Sequence, residues 1–135
     1  MPTPLLAFLT TGAIFVAIDF VWLATMSGRL YRPQLGAMMR ERIALAPSVA
    51  FYLLYALVLT ALVVLPALAA RSPTQAATQG ALLGLVAYAT YNLTNAATLK
   101  GWPTLLTFVD LAWGTFVTGL ASWLAVLALT AMDRT

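Results

Sequence analysis

The chain has no cysteine and no histidine, and only 8% of its 135 residues are charged. Without cysteine there can be no disulfide, no thiolate metal site and no thiol nucleophile. Without histidine the usual haem and zinc ligands are missing, and so is the commonest general base. No cofactor and no metal are therefore expected. Charge is scarce in both signs, with seven Lys and Arg against four Asp and Glu, for a net +3. That balance gives a nucleic-acid partner nothing to hold. Soluble domains carry about a quarter charged residues. Here hydrophobic types make up 62% and the mean hydropathy is +0.92. The class is an integral membrane protein, and the length suits one domain over residues 1–135.

A helix needs about 20 apolar residues to cross the hydrocarbon core. Four stretches qualify, at about 4–27, 47–70, 75–99 and 103–131. Pro4, Pro47 and Pro103 sit at their starts, where a missing N–H costs least. Arg71-Ser72-Pro73-Thr74 and Lys100-Gly101-Trp102-Pro103 read as tight turns, which makes the helices they join antiparallel neighbours. The expected fold is an all-α membrane protein, a four-transmembrane-helix up-down bundle. MPTPLLAFLTTGAIF has neither the basic head nor the cleavage site of a secretory signal, and reads as a retained first helix.

Orientation follows from where the cations fall. Arg29, Arg32, Arg40 and Arg42 follow the first stretch and Lys100 follows the third, whereas the opposite side has Arg71 and Arg134. Loops 1 and 3 should face the cytoplasm and both termini the periplasm, which sets these five residues at the membrane surface. In PQLGAMMRERIAL, Leu35, Met38, Met39 and Ile43 recur at helical spacing, with Arg40 and Glu41 on another face. This predicts a short amphipathic interfacial helix between the first two spans. A basic loop that only fixes topology is the alternative.

Asp19 and Asp110 are the acidic residues inside these stretches. Each costs roughly 2.5–3.5 kcal/mol at mid-helix, so both should face the interior or a wet cavity. At about 1.5 Å per residue, Asp19 lies roughly 12 Å and Asp110 roughly 10 Å from the basic end. Asn92 falls at the same level, with Asn95 one turn nearer that end. Tyr88, Tyr91/Asn92, Asn95 and Thr98 form one polar stripe, and Thr107, Asp110, Gly114 and Thr118 form another. Trp22 and Trp113 each stand three residues after an aspartate and should line the same interior. The candidate ligand site is therefore Asp19, Trp22, Tyr88, Tyr91, Asn92, Asn95, Asp110 and Trp113. Trp102 and Tyr31 read better as interfacial anchors. The second stretch, almost wholly aliphatic beyond Tyr52 and Tyr55, reads as scaffold. Amides and hydroxyls between membrane helices also serve as packing glue, which is the competing account of the asparagines.

The motifs themselves are Asp19-x-x-Trp22, Tyr31-x-x-x-Leu35-Gly36, Phe51-Tyr52-x-x-Tyr55 and Gly80-Ala81-x-x-Gly84. They continue as Tyr88-x-x-Tyr91-Asn92-Leu93-Thr94-Asn95-x-x-Thr98-Leu99 and Asp110-x-x-Trp113-Gly114. Together they resemble a bacterial family of four-helix predicted membrane proteins, domain of unknown function 2177, over about residues 4–130. The resemblance implies a bacterial inner-membrane, multi-pass protein with a role near fatty-acid or lipid metabolism. Asn92 is a neutral departure from the aspartate that the family's pattern carries there.

The leading functional expectation is a polar pocket opening toward the cytoplasm in aliphatic walls, suited to a lipid or another amphiphilic small molecule. Asp19 and Asp110 would be the acids or bases of any catalysis, and the sequence leaves open whether there is any. A small proton-coupled transporter working as a homo-oligomer is the second reading, and a non-catalytic accessory subunit the third.

Overall fold

The fold is given by a computed structural model that describes residues 3–133. Among the described residues there are helices and turns and no strand. The four long helices are α1 (Pro4–Met26), α2 (Leu45–Ala69), α3 (Pro73–Thr98) and α4 (Thr104–Asp133). Each lies within about four residues of its expected limits. Thr3 caps α1 by accepting the Leu6 N–H at 3.1 Å, and Ser72 caps α3 by accepting that of Gln75 at 3.0 Å. Both caps are followed by proline, already set for the first helical turn.

Between α2 and α3 the chain reverses in a Schellman turn. Ser72 N–H reaches the Ala67 carbonyl at 3.0 Å and Arg71 N–H that of Leu68 at 3.1 Å. The turn needs a left-handed residue, and Arg71 supplies it with φ of 54°.

Two π turns interrupt the helices, Ser27–Tyr31 after α1 and Thr60–Val64 within α2. In them Arg32 N–H reaches back to Ser27 and Leu65 N–H to Thr60. Each ends two residues before a proline, Pro33 and Pro66. A proline inside a helix lacks its N–H and crowds the carbonyl four residues back. Widening the preceding turn relieves that crowding and keeps the helix running.

The first π turn changes loop 1. Instead of a separate amphipathic helix, the helical run continues from Pro4 to Met38, through Arg32–Leu35 and a single 3₁₀ turn at Gly36–Met38. Gly36 takes φ of 55°, which ends the regular helix, and residues 39–44 are irregular. The apolar spacing of Met39 and Ile43 is thus not expressed as a helix. Arg29, Arg32, Arg40, Arg42 and Lys100 are all exposed. Arg134, counted on the opposite side, lies outside the described residues.

Neighbouring helices run antiparallel. Phe15 packs with Tyr55, Val117 and Ala121, while Ala7 packs with Leu59, Val63, Ala125 and Leu129. The closest pair is α3 with α4. A Cβ on Gly84 would stand 2.2 Å from the Gly114 carbonyl oxygen, and one on Gly114 would stand 2.1 Å from the Tyr88 ring. Small residues allow such approach, and in lipid it is contact rather than the hydrophobic effect that binds helices. The outside is apolar, with Leu5, Leu9, Phe20, Val21, Leu54, Leu62, Leu82, Val86, Phe108 and Phe116 exposed. Pro4–Met38, Leu45–Ala69 and Thr104–Asp133 are long and apolar enough to cross a membrane. The expectation of four spans is met by that criterion for three; α3 has the length, but its amides and threonines lower its apolarity.

Candidate functional site

Asp19 and Asp110 are 5% and 6% exposed, and each carboxylate accepts two hydrogen bonds from neutral donors. Asp19 takes Trp113 Nε1–H on Oδ1 at 2.9 Å and the Tyr52 hydroxyl on Oδ2. Asp110 takes the Tyr31 hydroxyl on Oδ1 at 2.6 Å and Asn92 Nδ2–H on Oδ2 at 2.7 Å. Tyr31 in turn accepts Trp22 Nε1–H at 2.9 Å. The indoles of Trp22 and Trp113 stack with centroids 4.2 Å apart and planes within 7°. The two halves therefore meet at the stacked rings.

Antiparallel packing of α1 on α4 explains the pattern. It brings the tryptophan of each Asp-x-x-Trp motif toward the aspartate of the other. Trp113 meets Asp19 directly, and Trp22 meets Asp110 through the Tyr31 hydroxyl. Hydrogen bonds of this kind offset the cost of burying a carboxylate without a cation. No lysine or arginine occurs within residues 4–27, 47–70, 75–99 or 103–131 to pair with either one.

Glycine contact sets the α3 side. Because Gly84 and Gly114 let α3 lie directly on α4, Asn92 is fully buried and reaches both Asp110 and the Tyr88 carbonyl, the latter at 3.0 Å. Its Oδ1 is buried with no partner among the described residues. Deeper in the bundle the hydroxyls of Tyr55 and Thr118 share a hydrogen bond at 2.8 Å.

Of the residues singled out from sequence, Asp19, Trp22, Asn92, Asp110 and Trp113 share this network, and Tyr88 joins through its carbonyl. Asn95 is half-buried and outside it. Tyr91 is 54% exposed and sets its ring edge-on to Trp102 at 5.6 Å. Two participants were missed. Tyr31 is a bridge between Trp22 and Asp110 rather than an interfacial anchor. Tyr52 makes α2 more than scaffold, since it closes the second oxygen of Asp19. Helical spacing gave a usable signal for Tyr52, because Tyr52 and Tyr55 share a face with Phe51 beside them.

A cavity of about 370 Å³ opens beside the network, lined by Phe51, Tyr55, Ala87, Tyr88, Tyr91 and Asp110. It forms because α2 meets α3 mainly through its second half, from Thr60 onward, so the first half stands away from α3. Asp110 is the only charged residue in its wall. Asp19 lies outside the lining. Among the described residues no three acidic, histidine or cysteine side chains cluster as metal ligands.

No curated protein and no solved structure matches this chain. The family described as Predicted membrane protein (DUF2177) matches residues 4–127, which takes in both Asp-x-x-Trp motifs, Tyr31, Tyr52 and Asn92. With nearly its whole length so matched, the chain belongs to this family of predicted membrane proteins.

Proposed function

We propose that this protein crosses a bacterial inner membrane four times and binds a lipid or other amphiphile, whose head enters the cleft between α2 and α3. The observation that carries this reading is the cleft itself. It has one carboxylate, Asp110, in aromatic walls, and Phe51 and Tyr91 at its exposed edge. Polar at one point and apolar elsewhere, it matches a molecule with a small head and a long tail. Of the two aspartates, Asp110 is the one placed to touch that head.

A fourth span at α3 is supported by how its hydroxyls are held. Thr78, Thr90, Thr94 and Thr98 are exposed, and each donates to the carbonyl four residues back. A hydroxyl satisfied within its own helix costs little in lipid. Asn92 is buried against α4. The apolarity of α3 is thus understated by its composition. Five cations at the end formed by loops 1 and 3 support placing that end in the cytoplasm.

The native chain has no cysteine, so single cysteines report topology cleanly. Cysteine at Ala37 or Gly101 should react with an impermeant maleimide only in inverted vesicles, and cysteine at Ser72 only in intact spheroplasts. For binding, lipid adducts on the purified chain are counted by native mass spectrometry. Ala87→Phe, which fills the cleft, should remove them. Adducts undiminished by Ala87→Phe would sink the reading.

A further inference from the structure

We infer that the head held in the cleft is an organic ammonium group. This rests on the amphiphile reading above and narrows it to one chemical class. Three features of the cleft point the same way.

The first is charge. Asp110 is ionisable and lines the cavity, its two hydrogen-bonding neighbours and the two of Asp19 are neutral, and no basic residue stands in any apolar stretch. An anionic head would meet Asp110 with no cation in any apolar stretch to offset it. The second is unused acceptor capacity. An ionised carboxylate offers about four lone-pair sites, and Asp110 has one donor on each oxygen. Spare acceptor capacity on the one carboxylate in the wall suits a ligand rich in N–H, or one positively charged.

The third is the aromatic wall. Phe51 and Tyr55 stack at 5.2 Å with planes 28° apart, and Tyr88 stands across Tyr55 at 6.3 Å and 72°. Rings meeting at a steep angle form a corner, and ring faces attract ammonium groups when water is excluded. A carboxylate beside such a corner is selective for a cation over a neutral head of equal size.

The test uses the full chain in a neutral maltoside detergent with equimolar phosphatidylethanolamine, phosphatidylglycerol and diacylglycerol of identical acyl chains. Native mass spectrometry should show the ethanolamine lipid retained at least tenfold over the other two. Asp110→Asn should abolish that preference. Glu41→Gln, which removes the same charge at an exposed residue outside the cleft and the network, should keep it. Phe51→Leu preserves apolar bulk and lies outside the hydrogen-bonded network, so a weakened preference there supports the inference even where Asp110→Asn fails to fold. Excess ethanolamine without acyl chains separates the sources: displacement assigns the site to a soluble ammonium, and no displacement assigns it to a lipid. Equal retention of all three lipids by the parent chain overturns the ammonium assignment. The amphiphile reading would then survive if Ala87→Phe still removed the adducts, and both fall if it did not.

Discussion

Trp113 donates its indole N–H to Asp19 at 2.9 Å across 94 residues of sequence, while its ring stacks on Trp22 from the aspartate's own motif. One side chain thus supplies both a polar and an apolar tie between α1 and α4. Phenylalanine in its place would keep a ring to stack and lose the N–H.

Trp113→Phe should therefore leave Asp19 Oδ1 buried without a donor and destabilise by about 1–2 kcal/mol. Thermal unfolding in detergent, followed by near-ultraviolet circular dichroism, measures it. Trp123→Phe, at an exposed ring outside the network, should melt with the parent.

Tyr31 serves two partners with one hydroxyl, so its removal costs more than one bond. Tyr31→Phe should lose about 2 kcal/mol, because Trp22 Nε1 and Asp110 Oδ1 are both left short. Trp22→Phe should cost less. Once Tyr31 is phenylalanine, Trp22→Phe should add little, giving a double-mutant cycle with clear coupling. Strict additivity would mean the bridge contributes nothing.

Gly84→Ala would put a methyl carbon 2.2 Å from the Gly114 carbonyl oxygen, so α3 must move off α4. The expected cost is about 1–3 kcal/mol or more, together with lower lipid retention as Asn92 and Tyr88 shift. Gly28→Ala meets nothing within 4 Å and should be neutral or slightly stabilising. Melting temperatures of the pair decide the matter.

Arg71 holds a left-handed conformation that favours glycine. Arg71→Gly should raise stability by about 0.5–1 kcal/mol, the relieved strain exceeding the added freedom of the unfolded chain. A lower melting temperature would count against strain at this turn.

The helices were legible because long apolar runs and proline-marked starts carry their own limits. The level shared by Asn92 and Asp110, which hydrogen-bond, was legible too, since a rise of about 1.5 Å per residue places both at one depth. Tyr31 was not, for a definite reason. Nine residues of unbroken α-helix make about 2.5 turns, which would set Tyr31 on the side away from Trp22. The π turn absorbs one residue and leaves about 2.2 turns, which brings the hydroxyl round to Trp22 and Asp110. The expected amphipathic helix was lost to the same event, since the π turn and Gly36 decide where regular structure ends. The cleft was hidden for another reason: it depends on how far the first half of α2 stands from α3, and spacing along one chain does not encode that gap.

The close fit of α3 on α4 also bears on synthesis. The ribosome completes α3 before α4 exists, and Gly80, Gly84 and Asn92 all lie on the face that α4 later covers. Until then that face has no partner. A nascent chain released at residue 103 would expose its least apolar helix along its most polar side. With α3 as the proposed fourth span, the turn from Leu99 to Pro103 is short enough for the two to enter the bilayer as one hairpin. Asp110 would then arrive already held by Asn92, and the membrane would never meet either one alone.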